Sequence, residues 1–343
     1  MATKRMNKDA FYKELAGLDD DALRKLLWTL YWRGTKQFRE RIETELQPAN
    51  TKPAVADKER IGPQEVLRDV TDFVSLARAG AYMAGDRRVS PKERSRWRFT
   101  FQRLAKDARS VLALDVPTGA AALEQLIDLA CEIKNYDLFH SEDPVEAAGF
   151  VVSDAVAALW QGLREHHGFT GFARLAAPQL IRWEQEYGWT RSGWGRLSEK
   201  ETTLATVLAG LLRGSDAWAD FAGHYLTALD QARTAAPGIY GVDADYSRRE
   251  RAGDLSEWHL LLLERLEGTD ADHLLDRLVT HPQLAGPELT YIQARRAIQT
   301  GAPDRARALM RDCLKELPGH EGFLAFAKRI STQGSSPTSP TRS

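Results

Sequence analysis

Cysteine is scarce. The 343 residues contain two, Cys131 and Cys313, and neither has a second thiol at metal or redox spacing. That excludes a disulfide framework and a cysteine-based zinc site, and it fits a reducing compartment. An excess of one sign of charge is also missing: 47 Lys and Arg stand against 48 Asp and Glu, a formal charge of -1. No global field therefore argues for nucleic acid, a membrane surface or a polyanion, and any such case has to be local. Long apolar runs are absent too. The longest, Leu204 to Leu212, is less than half of what a bilayer requires. Met1 to Lys13 is polar and basic without an apolar centre, so no membrane partner is expected and the expected location is cytoplasmic.

The common catalytic signatures are missing as well. The chain has no G-x-x-x-x-G-K-[ST], no H-E-x-x-H and no G-x-S-x-G, and Gly193-Trp194-Gly195 is too short for a dinucleotide loop. No catalytic residue, cofactor or metal is assigned, and a non-enzymatic protein is expected. Glu132, Asp137, His140, Glu142 and Asp143 crowd one helix end and the next loop, but an acidic loop with Asp143 capping the helix that starts at Pro144 explains them more simply than a divalent ion. Glu165, His166 and His167 read as a helix end, where imidazoles face the negative pole of the dipole. His259 is two residues from Glu257, a spacing that faces no common partner, and it reads as structural.

What is present is a folded chain: 43% of residues are hydrophobic and 28% charged, and the length favours two or three packed units. The apolar periodicity is helical almost throughout. Leu23, Leu26, Leu27 and Leu30 form one stripe behind Asp19, Asp20 and Asp21, which suit a first turn. Phe11, Leu15 and Leu18 precede it on a common face, and Phe38, Ile42 and Leu46 follow. Ser90-Pro91 with Glu93 is a capping box with proline at the first helical position. Further helices are expected at about 118–136, 144–166, 177–187, 199–213, 216–234, 255–266 and 271–279. No alternating strand pair interrupts them, so the expected fold is all-α. The expected divisions are an N-terminal helical segment at 1–48, a linker at 49–63, a central helical domain at 64–250, helical hairpins at 251–330 and a disordered Ser, Thr and Pro-rich tail at 331–343.

Near the C-terminus, Ala294 supplies a small residue in one helix and Gly301 a turn. Ala306, Met310 and Cys313 supply packing positions in the next helix, and Pro318 a stop. On these residues, Leu289 to Gly322 resembles a tetratricopeptide repeat. Gly268, thirty-three residues before Gly301, marks a degenerate second copy in Leu255 to Pro282. The resemblance implies stacked helix pairs, since one pair cannot bury its own faces. The array is then either solenoid-like or an irregular multi-helix assembly. It also implies a scaffold or adaptor that binds a protein or peptide partner.

Two local features are candidate contact sites. On the helix that starts at Pro91, Trp97, Phe101, Leu104, Ala108 and Val111 form an apolar stripe, and Lys92, Arg96, Phe99, Arg103 and Lys106 form the opposite, outward one. Asp86 to Arg109 carries nine basic and three acidic residues, whereas Ala113 to Glu165 carries ten acidic and two basic. The two tracts can neutralise each other across a helix contact. Failing that, the basic face suits an acidic protein or a nucleic-acid strand, the latter being the alternative function. The second feature is a loop in which Trp189 and Trp194 flank Arg191. A third reading is an enzyme whose site is assembled from scattered residues; it predicts a cavity with strongly perturbed titrating groups.

Overall fold

A computed structural model describes residues 8–35, 39, 42, 62–186, 197–232, 244–266 and 269–333. Among these there are fifteen α-helices and no strand. The chain divides into two compact units, residues 1–61 and 62–343.

In the first unit, α1 (Lys8–Leu15) and α2 (Asp20–Arg33) are joined by a short turn. Asp19 caps α2, its carboxylate accepting from the Ala22 N–H at 2.7 Å, and Asp20 and Asp21 follow in the first turn. The third stripe, at Phe38 to Leu46, and the linker fall largely outside the described residues.

The second unit opens with α3 (Pro63–Arg78), α4 (Pro91–Leu112) and α5 (Val116–Glu132), which pack on one another. The Ser90 capping box forms as expected: the Ser90 hydroxyl accepts from the Glu93 N–H, and the Glu93 carboxylate accepts from the Ser90 N–H. Trp97, Phe101, Leu104, Ala108 and Val111 are all buried. Phe73, Tyr82, Trp97, Phe101, Phe139 and Phe150 gather their rings in this part of the core, Trp97 and Phe139 with centroids 4.1 Å apart.

The helix expected over 144–166 is broken early. A short α6 (Pro144–Ala148) ends at Gly149, and α7 (Val152–Ile181) starts after three non-helical residues, Gly149 to Val151. Asp143 caps α6 through the Glu146 N–H at 2.9 Å. Val151, at the start of α7, has no side chain able to cap, so Glu201, far along the chain, does the work. Its carboxylate accepts from the N–H groups of Val152 (2.7 Å) and Ser153 (2.8 Å) and from the Ser153 hydroxyl (2.5 Å). Within α7 the backbone leaves helical geometry at Gly168 (φ 67°), one residue after the expected histidine-rich end, so α7 is two helices joined at a kink. A π-helical turn, Arg182–Glu186, follows Pro178, whose missing N–H interrupts the ladder.

The expected helix over 199–213 is also shorter. Glu146 and Glu184 accept from the Leu197 and Leu204 N–H groups. With Glu201 they hold 201–203 out of the helix, so α8 spans only Leu204–Leu211. Then come α9 (Ser215–Gln231), α10 (Ala244–Asp254), α11 (Ser256–Arg265), α12 (Thr269–Val279), α13 (Pro287–Gln299), α14 (Pro303–Glu316) and α15 (Glu321–Gln333). Each layer packs on the next: α7 on α9, α9 on α11 and α12, α11 on α13, α13 on α14 and α14 on α15. One hydrophobic core runs from Val66 to Ile292, past the expected division at 250. A second, smaller core gathers Ala294, Ala306, Met310, Cys313, Phe323 and Ile330. No helix among the described residues is long and apolar enough to cross a membrane. Residues 334–343 of the expected tail lie outside the described residues.

Candidate interaction surfaces

On α4 the outward stripe is less open than its spacing suggests. Lys92, Arg103 and Lys106 are exposed, but Arg96 and Phe99 are half-buried. The Arg98 guanidinium stands 5.0 Å from the centre of the Phe99 ring, so a neighbouring cation already occupies that aromatic face. Arg103 is neutralised in the middle of the stripe by Asp69 of α3 (3.7 Å) and Asp107 of its own helix (3.2 Å). Members of the acidic tract are answered elsewhere. Glu132 takes Arg78 at 2.5 Å, and Glu124 and Asp128 take Arg182 at 2.6 and 3.1 Å. Burial nevertheless pushes the Asp128 carboxyl above its ordinary value, against the pull of Arg182.

The basic face therefore survives at its C-terminal end. Lys106 and Arg109, neither with an acidic partner among the described residues, line a groove of about 420 Å³ with Gln102, Ser110, Gly149, Phe150 and Asp154. Arg109 belongs to the basic tract but not to the sequence stripe. The opposite wall comes from the α6–α7 elbow some 40 residues on, for which the sequence carries no local signal. Trp189, Arg191 and Trp194 lie outside the described residues. Among the described residues no group of three His, Cys, Asp or Glu side chains is placed to hold a metal ion. Within the acidic set weighed above, Glu132 is bound to Arg78 and Asp143 is a helix cap.

At the C-terminal end, α13 and α14 form a close antiparallel hairpin. Ala294 and Ala297 face Ala306, Met310 and Cys313, all buried, and the Cys313 thiol donates to the Pro287 carbonyl at 3.4 Å. Burial pushes the Cys313 thiol up to about 11, so it serves as packing. The α15 helix closes the hairpin, with Tyr291 against Phe323 (4.9 Å) and edge-on to Phe326 (5.3 Å). Arg295 lies 5.9 Å from both the Tyr291 and Phe326 rings and pairs with Glu264 of α11 at 2.8 Å, while Arg329 stands 4.9 Å from the centre of Phe326. Leu324 is left on the outer face of α15, 47% exposed.

A cluster of strongly perturbed titrating groups sits elsewhere, in the interior between α9, α10, α11 and the 281–284 turn. The Tyr225 hydroxyl meets His259 Nε2 at 2.6 Å, Arg251 Nη1 donates to Gln283 Oε1 at 2.8 Å, and the Gln283 N–H donates to His281 Nδ1 at 3.2 Å. With its Nδ1 accepting, neutral His281 carries its proton on Nε2 and donates it to Asp230 at 3.1 Å. Burial pushes the Tyr225 hydroxyl well up and the Arg251 guanidinium down. It also pushes His259 down to about 3, with the nearby His281 a second cause. Among the described residues, buried His259 Nδ1 has no hydrogen-bond partner. None of these side chains lines the groove at Lys106, so the perturbed groups and the open groove do not combine into one site. No family model, curated protein or solved structure matches this chain.

Proposed function

We propose that this chain is a non-enzymatic helical scaffold or adaptor that holds a protein or peptide partner on its C-terminal helices. The observation that carries the reading is the recurrence of helix starts. The α12 helix starts at Thr269 and α14 at Pro303, 34 residues on; α13 starts at Pro287 and α15 at Glu321, again 34 on. That is the period of a tetratricopeptide array, whose stacked helices present an extended surface. The small-residue seam of α13 and α14 supports it, and so does the separate core that they share with α15. The earlier copy departs from the pattern, because α12 packs on α9 rather than mainly on its hairpin partner α11.

Leu324→Asp with Arg329→Glu alters two exposed side chains and removes the Arg329 contact with Phe326, so a stability loss of about 1 kcal/mol is expected. Partners recovered from a lysate by the full chain after nuclease treatment should fall at least ten-fold with this double variant, as read by quantitative mass spectrometry. Undiminished recovery would reject the placement on the C-terminal helices.

The unpaired Lys106 and Arg109 support a second reading, a nucleic-acid contact confined to the groove. If the chain binds a labelled single-stranded 20-mer, Lys106→Glu with Arg109→Glu should weaken binding at least ten-fold. It should also flatten the salt dependence by a slope of about 1.4, about 0.7 for each cation lost from a single strand. Binding that keeps its affinity and salt slope would remove the groove from consideration.

A further inference from the structure

We propose that α2 is a self-association helix that pairs antiparallel with α2 of a second copy of the chain. The helix has no buried residue, yet it exposes Leu26 (40%), Leu27 (52%), Trp28 (59%), Leu30 (46%) and Trp32 (66%). Trp28 stacks on Tyr31 at 5.6 Å and on Trp32 at 5.7 Å, on the side of the helix away from the leucine stripe. A helix whose Leu23, Leu26, Leu27 and Leu30 stripe is not buried within its own chain is one that something covers.

The pattern of residues identifies the cover. The leucines are symmetric about the helix midpoint: in an antiparallel pair Leu23 meets Leu30 of the other copy, and Leu26 meets Leu27. The charges follow the same symmetry. Asp19, Asp20 and Asp21 occupy the N-terminal end and Arg33 the last turn. Antiparallel pairing lays each acidic end alongside the other copy's basic end and opposes the two helix dipoles, whereas parallel pairing brings like charge together. A surface that carries both halves of its own complement is what a two-fold, isologous contact requires. The three aspartates disfavour nucleic acid or an anionic membrane as the occupant.

The test is sedimentation equilibrium of the full chain from 1 to 100 μM, run beside Leu27→Glu with Leu30→Glu. Both side chains are exposed, so an unchanged circular dichroism spectrum and unfolding midpoint should accompany the variant. The wild type is expected at twice the chain mass, and the variant should raise the dissociation constant at least ten-fold. Leu26→Cys, close to the two-fold axis, should form a disulfide-linked dimer on mild oxidation, while Asp20→Cys should not; Cys131 and Cys313 are buried and do not compete. A wild type that is monomeric at 100 μM would overturn the proposal. So would a dimer that survives the double substitution, or equal cross-linking at both cysteine positions.

Discussion

Replacing Gly119 with alanine is expected to destabilise the protein by about 3 kcal/mol or more, the upper end for forcing an extra carbon into a packed contact. Gly119 lies in the first turns of α5, where that helix crosses the end of α4. A Cβ there would fall 2.2 Å from the Leu112 nitrogen, 2.3 Å from the Leu112 Cα and 2.8 Å from the Val111 carbonyl carbon. All three are backbone atoms, so no side chain can swing aside and the two helices have to separate. That separation disturbs the contact between α4 and α5 and with it the seat of α7 on α5. Gly223→Ala is the control. It lies in α9 with open space around its Cβ, and there the better helix propensity of alanine should raise stability by about 0.5–1 kcal/mol. Urea unfolding followed by tryptophan fluorescence separates the two; a Gly119→Ala loss below about 1 kcal/mol would show that the helices do not approach so closely.

Acidification from pH 7.5 to 5 should destabilise the fold by about 2 kcal/mol through His259 alone. Its folded-state pKa, about 3, lies below the unfolded value near 6.5. Over that range the unfolded chain takes up a proton that the folded chain does not, so stability is intact above pH 6.5 and falls as the pH drops towards 3. His281, pushed down by burial against the opposing pull of Asp230, acts in the same direction. Protonating its Nδ1 would also break the bond from the Gln283 N–H. His259→Gln can still bond Tyr225 but cannot titrate, so its stability should vary less steeply between pH 7 and 5. A variant slope equal to the wild-type slope would place the acid sensitivity elsewhere.

Where helix boundaries depend on local chemistry, they were legible. The Ser90 and Glu93 side chains satisfy each other's backbone N–H groups, Asp143 caps α6, and Trp97 to Val111 bury the face that their spacing selects. The α10 helix was not legible. Its sequence, ADYSRRERAGD, has almost no apolar stripe, and it is held because Arg251 and Ala252 enter the interior between neighbouring helices. Likewise nothing near Val152 foretold its cap, which comes from Glu201. On the candidate surface the sequence identified the basic tract but could not weigh it. Asp69, on another helix, cancels Arg103, Arg98 covers Phe99, and the elbow at Gly149 turns Lys106 and Arg109 into one wall of a groove.

By itself, then, the sequence determined an all-α protein, most of its helix starts and the apolar face of α4, because these follow from interactions within a few residues. Only the tertiary structure decided which charges remain free, which polar groups are driven off their ordinary titration and where the glycine-dependent crossing at 119 falls. The charges and polar groups depend on side chains about 30 to 55 residues apart, and the crossing at 119 on how closely two helix backbones approach; distance and burial set these energies, and neither can be read from spacing along the chain.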